Sequence, residues 1–199
     1  MPSKQDIVSV AAGDSPDGAY YETDSYTERA VIDGRVALVA QAWARTRAGL
    51  VEGGGALAVK VRLPSPHGVS LAAQGAVTWT DDAFASPCAG WGGEVRAMAG
   101  HGRTLLGKPA FANAEVAYRE EGSCGRIRAE LTAGYRPTKP WLLLVQAFHD
   151  RDFHQTETLK VQWSAIRFHK DARGIQVGVR VRADGDDPEP AALIGYWVG

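Results

Sequence analysis

Apolar and polar residues alternate one by one through about a dozen short, glycine-punctuated segments that run nearly from Asp6 to Val198. In Ile175-Gln-Val-Gly-Val-Arg-Val-Arg182, the residues Ile175, Val177, Val179 and Val181 share one face, while Gln176, Gly178, Arg180 and Arg182 share the other. Side chains alternate across a strand, so each such segment has one greasy and one polar face. Charges recur on one face of segment after segment. That pattern suits a closed barrel whose outside is apolar and whose inside is wet.

Runs bounded by turn residues predict strands near 5–12, 20–30, 34–46, 55–63, 67–80 and 90–99. Six more are predicted near 108–119, 125–135, 140–150, 157–168, 173–182 and 190–198. Twelve is an even number, as an up-and-down all-β antiparallel transmembrane barrel requires. No composition shift or linker divides the 199 residues, so residues 1–199 read as a single β-barrel domain.

The connections fall into two alternating sets. One holds tight Pro/Gly turns (32–34, 64–68, 136–140, 169–174) and one longer stretch, 100–107, together with the bases Lys108, Arg136, Lys139, Lys170 and Arg173. The other is acidic, from Asp14 and Asp17 through Glu52, Asp81, Asp82, Glu120, Glu121, Asp150, Asp152 and Glu157 to Asp184, Asp186, Asp187 and Glu189. That places 14 of the 23 carboxylates at one end. Cys88 and Cys124 fall in consecutive loops of the acidic set, where topology brings them close, and in an oxidising compartment they pair. The alternative is two unrelated free thiols.

The alternation assigns faces. Ile127, Leu131, Val69, Leu71, Leu57, Val59, Leu159 and Val161 are expected on the apolar face. Opposite them are expected Glu94, Arg96, Glu115, Arg119, Arg126, Arg128, Glu130, Lys160, Arg180 and Arg182 as lumen-lining residues, with Glu22, Asp24, Glu28, Arg45, Lys60 and Arg62. This set carries a basic excess. It reads either as a pore lining that draws anions or as a salt-bridge network between neighbouring strands that plugs the lumen. Small residues on the apolar face, and Trp79, Tyr118, Tyr135, Trp141, Trp163, Tyr196 and Trp197 towards strand ends, favour apolar-out with aromatic girdles. Arg167 falls in the outward phase and is tolerable only near a rim.

Lys plus Arg total 22 against 23 Asp plus Glu, which gives no electrostatic reason to expect nucleic acid. No apolar run approaches the roughly 20 residues a membrane helix needs, a test that does not apply to strands. The opening Met1-Pro-Ser-Lys-Gln-Asp-Ile7 lacks a secretory signal, so the expectation is a cytoplasmic chain or a mature form with a replacement start.

The Arg126–His149 hairpin, Arg-Ile-Arg-Ala-Glu-Leu-Thr-Ala-Gly-Tyr-Arg-Pro-Thr-Lys-Pro-Trp-Leu-Leu-Leu-Val-Gln-Ala-Phe-His, resembles small outer-membrane β-barrel proteins of Gram-negative bacteria, chiefly uncharacterised proteobacterial barrels. The resemblance implies a bacterial outer-membrane location and, as partners, the lipid bilayer (or detergent) and the outer-membrane insertion machinery. Such barrels usually end in an aromatic residue, whereas this chain ends Gly195-Tyr-Trp-Val-Gly199.

The expected function is a small channel or structural membrane barrel with a charged lumen and no cofactor. The alternatives are a soluble barrel or sandwich binding an apolar ligand or glycan, and an outer-membrane hydrolase. Of the five histidines, His67, His101, His149, His154 and His169, only the run His149-Asp-Arg-Asp-Phe-His154 clusters bases with carboxylates, and it reads as a solvated loop. The His-x-Ser-Asn-Gly pattern of the outer-membrane phospholipase is missing, and no catalytic residue is assigned. Asp184-Gly-Asp-Asp-Pro-Glu189 is oxygen-rich but lacks calcium-loop spacing. No metal ligand is assigned.

Overall fold

A computed structural model describes residues 4–15, 18–32, 34–47, 49–66, 68–82, 88–153, 157–169, 172–184 and 187–199. Its strands are β1 (Lys4–Ser15), β2 (Gly18–Ile32), β3 (Val36–Arg47), β4 (Leu50–Leu63), β5 (Val69–Asp82) and β6 (Gly90–Leu105). They continue as β7 (Lys108–Glu121), β8 (Cys124–Thr138), β9 (Trp141–Asp152), β10 (Glu157–Phe168), β11 (Arg173–Asp184) and β12 (Asp187–Val198). Each strand pairs antiparallel with the next, and β1 pairs with β12 from Asp6↔Val198 to Gly13↔Ala191. The sheet is a closed barrel of twelve strands, which leaves no unpaired edge strand.

The stretch 100–107 is not the long connection its glycines predict. β6 continues to Leu105 and turns within two residues, Leu106 (φ 50°) and Gly107 (φ 71°), into β7 at Lys108. Two consecutive positive φ values make a reversal whose twist matches that of the strands. Leu106 accepts this conformation at an exposed tip, with no neighbour pressing on it.

Apolar side chains face outward around the barrel. Val8 and Val10 on β1, Leu57 on β4, Val77 on β5, Val95 on β6, Val116 on β7, Leu131 on β8, Val177 on β11 and Ile194 on β12 are all exposed. β2 is the exception, because its outward residues Thr23, Ser25, Thr27 and Arg29 are polar. Their groups are satisfied locally. Thr23 Oγ1 and Ser25 Oγ donate to the β3 carbonyls of Ala44 and Ala42 (3.4 and 3.2 Å), and Arg29 pairs with Asp6 at 2.7 Å near the basic end. Arg167 also lies next to the strand end, where its guanidinium sits 5.9 Å from the ring centre of Trp141. Its charge meets an aromatic face and not hydrocarbon.

Two aromatics depart from the girdle expectation. Trp163 lies in the middle of β10, and Trp197 points inward, where its Nε1 donates to Gln176 Oε1 at 2.7 Å. The adjacency of Tyr196 and Trp197 explains the second case: consecutive residues must face opposite ways, and Tyr196 takes the outer face.

At the acidic end Cys88, in the β5–β6 connection, is bonded to Cys124 at the start of β8, with Cα atoms 4.9 Å apart. Both are buried. The bridge ties that connection across β6 and β7. Cys124→Ser is expected to lower stability by about 2–4 kcal/mol, read from urea midpoints of oxidised and reduced protein. Equal midpoints with and without reductant would show that the bridge carries no such load.

Candidate functional site

The polar face of the alternation is the barrel interior, and its charges are gathered in two clusters on different parts of the wall. The first lies on β6–β9. Glu94, only 3% exposed, sits beneath three guanidiniums: Arg96 and Arg119 each at 2.8 Å and Arg128 at 3.7 Å. Further carboxylates balance those arginines. Arg96 also meets Glu115 at 2.8 Å, Arg119 meets Glu121 at 3.4 Å, and Arg128 and Arg126 meet Asp150 at 3.0 and 3.8 Å. Register makes these contacts unavoidable, because Glu94 is directly opposite Arg119, and Arg128 directly opposite Asp150. Glu130 stands opposite Glu115, a like-charge pair, and accepts a hydrogen bond from Thr132 Oγ1 at 3.2 Å.

The second cluster joins strands that are not neighbours. Glu22 on β2 receives Lys160 of β10 at 2.5 Å and Arg180 of β11 at 2.9 Å. Arg180 also bonds Asp24 at 3.2 Å and Gln162 Oε1 at 3.0 Å. Glu189 on β12 receives Arg45 and Arg47 of β3 at 3.0 and 3.1 Å. The Glu22 links pass over β12 and β1, whose inward residues Ala191, Leu193, Ser9 and Ala11 are mostly small and buried. The low wall leaves the space that the long side chains cross. Arg182 shares this face, opposite Lys160 on one side and Glu189 on the other. Lower down, Glu28 accepts from Lys60 at 2.8 Å and from the Tyr26 hydroxyl. Arg62 lies nearer the basic end of β4 and is exposed.

These arrangements correct the charge balance expected from sequence. Glu121 and Glu189, read as loop carboxylates, are 1% and 2% exposed and turn inward. With Glu52, Asp150 and Asp152 also inward, the carboxylates among the described residues offset the bases, so the basic excess disappears. Gly92 makes room for this, since a Cβ there would lie 2.5 Å from Glu121 Cγ. The pairing is also not confined to neighbouring strands. Parity was the available signal for Glu189, because it shares the phase of Ala191 and Leu193, but acidity at a strand end reads as a loop.

Sequence reasoning also missed an apolar layer inside the basic end. Leu142, Leu144 and Ile166 are buried there, with Phe111, Phe168 and Trp197 packed against them. The run Trp141-Leu-Leu-Leu-Val145, apolar in both phases, is the trace of it. Above that layer the inward face is polar: Gln162, Ser164 and Gln176 are all buried, and Gln176 Nε2 donates to Ser164 Oγ at 2.8 Å.

His149 does not join the interior. It faces the outer side and meets exposed Glu157 at 2.7 Å. His67 and His154 lie outside the described residues, as do Asp186 of the acidic run and Lys170. Glu189 of that same run is committed to Arg45 and Arg47. Among the described residues, no three His, Cys, Asp or Glu side chains converge as a metal site needs.

No family model and no curated protein matches the chain. Solved structures do. An outer membrane channel from Pseudomonas putida F1 matches with a TM-score of 0.59 at 14% identity, covering 100% of this chain and 96% of that one. The β domain of the Bordetella autotransporter BrkA gives 0.58 at 12% identity over 100% of both chains. The KdgM porin gives 0.57 at 9% identity over 97% of this chain and 98% of that one. At such identities the likeness is one of fold, and the chain shares the closed antiparallel barrel of these outer-membrane proteins.

Proposed function

We propose that this protein spans a bacterial outer membrane as a single barrel domain and works there as a narrow channel for small ions and solutes. The observation that carries the reading is the inverted surface: ion pairs inside the barrel, and exposed valine, leucine and isoleucine outside. In water such an exterior is an aggregation surface, whereas in a bilayer it is the solvated face. Every backbone group of a closed sheet is paired, as hydrocarbon demands. Insertion by the outer-membrane insertion machinery belongs to the same reading.

The shared fold with an outer membrane channel and a porin supports conduction, and the burial of Glu22, Glu94, Glu189 and Arg180 argues for a narrow path. The KdgM porin was captured with a disordered oligogalacturonate, an acidic sugar. Here balanced carboxylates and guanidiniums supply no net pull on polyanions. The soluble alternative would need its apolar face inside and has its charges there instead. The hydrolase alternative would rest on His149, which faces away from the lumen.

Reconstitution in planar bilayers tests the proposal. Discrete, small conductance steps with weak ion selectivity are expected. A folded, heat-modifiable barrel that stays silent overturns the channel, and a monodisperse protein without detergent overturns the membrane location.

A further inference from the structure

We propose that the apolar layer at the basic end, and not the ion pairs above it, sets the main barrier to ions in the lumen by excluding water. This rests on the channel reading. The layer is built from inward residues of β7, β9, β10 and β12 that stand in adjoining rows. Phe111 is opposite Gly134, which is opposite Leu144; Leu142 is opposite Ile166; Phe168 is opposite Gly174, which is opposite Trp197.

Two glycines make the packing possible. A Cβ at Gly134 would lie 2.2 Å from Phe111 Cε1, so the phenyl ring lies flat over the β8 backbone. At Gly174 a Cβ would lie 2.9 Å from Ile166 Cγ2 and 3.0 Å from Phe168 Cδ1. The result is closely packed, with Ile166 at 0% and Leu144 at 3% exposure. Polar groups fix the layer from both sides. Trp197 is held above by Gln176, and the Arg136 guanidinium covers Phe168 from the rim at 5.0 Å.

An ion entering from the acidic end meets carboxylates and guanidiniums that can exchange partners with it. Along the stretch of wall held by the buried leucines and Ile166 it meets none. Stripping water from a charge without replacing its partners is the costliest step available in the lumen, and apolar constrictions gate by dewetting for that reason. Membrane barrels normally keep a polar interior. A buried cluster of leucine, isoleucine and phenylalanine there is a departure that needs a role, and its position at one mouth, spanning part of the wall, gives it one.

The test compares single-channel conductance of the full chain in planar bilayers for Ile166→Ser, Ile166→Ala, the milder Ile166→Thr, and Arg180→Gln. Folding of each is checked by heat-modifiable migration. Serine and alanine make nearly the same space, and only serine offers water a partner. Ile166→Ser is expected to raise conductance roughly tenfold, with Ile166→Thr in the same direction, Ile166→Ala near wild type, and Arg180→Gln changing ion selectivity more than conductance. Should Ile166→Ser not fold, Ile166→Thr, which keeps β-branching, carries the comparison. A conducting wild type with unchanged Ser and Thr variants overturns the inference and leaves the channel standing. Equal opening by alanine and serine overturns it in favour of a steric plug, and an equal rise in Arg180→Gln returns the barrier to the ion pairs. Silence of the folded wild type and every variant overturns the channel reading itself.

Discussion

Glu94→Ala is expected to destabilise the folded barrel by about 3–5 kcal/mol, the cost of leaving buried charges without their counterion. Glu94 is 3% exposed and is shared by Arg96, Arg119 and Arg128. Its removal leaves three guanidiniums on one patch of wall, where Glu115, Glu121 and Asp150 each answer only one of them. Folding and unfolding in urea with lipid vesicles measures the change. The test has a second edge. In a wide, water-filled pore the arginines would be solvated, and the same substitution would cost less than about 1 kcal/mol, as exposed ion pairs do. A small loss would therefore overturn the packed interior. Pairing the change with Arg119→Ala should recover part of the loss, because it removes one of the stranded cations.

Leu131→Arg separates a membrane barrel from a soluble one. Leu131 is the central residue of β8, faces outward and is 60% exposed. Its cross-strand neighbours are Ala114 and Ala147, so a longer side chain there meets no steric obstacle. In a bilayer the arginine sits near the midplane and is expected to cost about 2–4 kcal/mol, seen as a lowered urea midpoint and slower insertion into vesicles. On a water-facing surface the same change stays within about 0.5 kcal/mol of neutral. A stability unchanged by Leu131→Arg would show that this face never meets hydrocarbon.

The strand count, the antiparallel order and the division into two faces were legible because the period of a strand is exact: one slip would move an entire row to the wrong face. Cys88 and Cys124 were legible for a related reason, since up-and-down connectivity alone places consecutive loops of one set at one end. Two local features misled. Gly100, Gly102 and Gly107 read as a long connection, although an extended strand tolerates glycine and only Gly107 sits in the turn with Leu106. Glu121 and Glu189 read as loop acids because charge at a strand end resembles charge beyond it. Nothing local shows which way such a residue turns until the strand length is known.

The second ion-pair cluster was out of reach for a different reason. Arg180 meets Glu22 across β12 and β1, Lys160 meets it across β11 as well, and the contacts depend on Ala191, Leu193, Ser9 and Ala11 forming a low stretch of wall between them. Alternation in sequence determined which residues share a face, since that follows from backbone geometry one strand at a time. Which inward residues meet, whether their charges cancel, and where the interior turns apolar were decided only by closure of the sheet, because partners in those contacts are set by the curvature and stagger of twelve strands together.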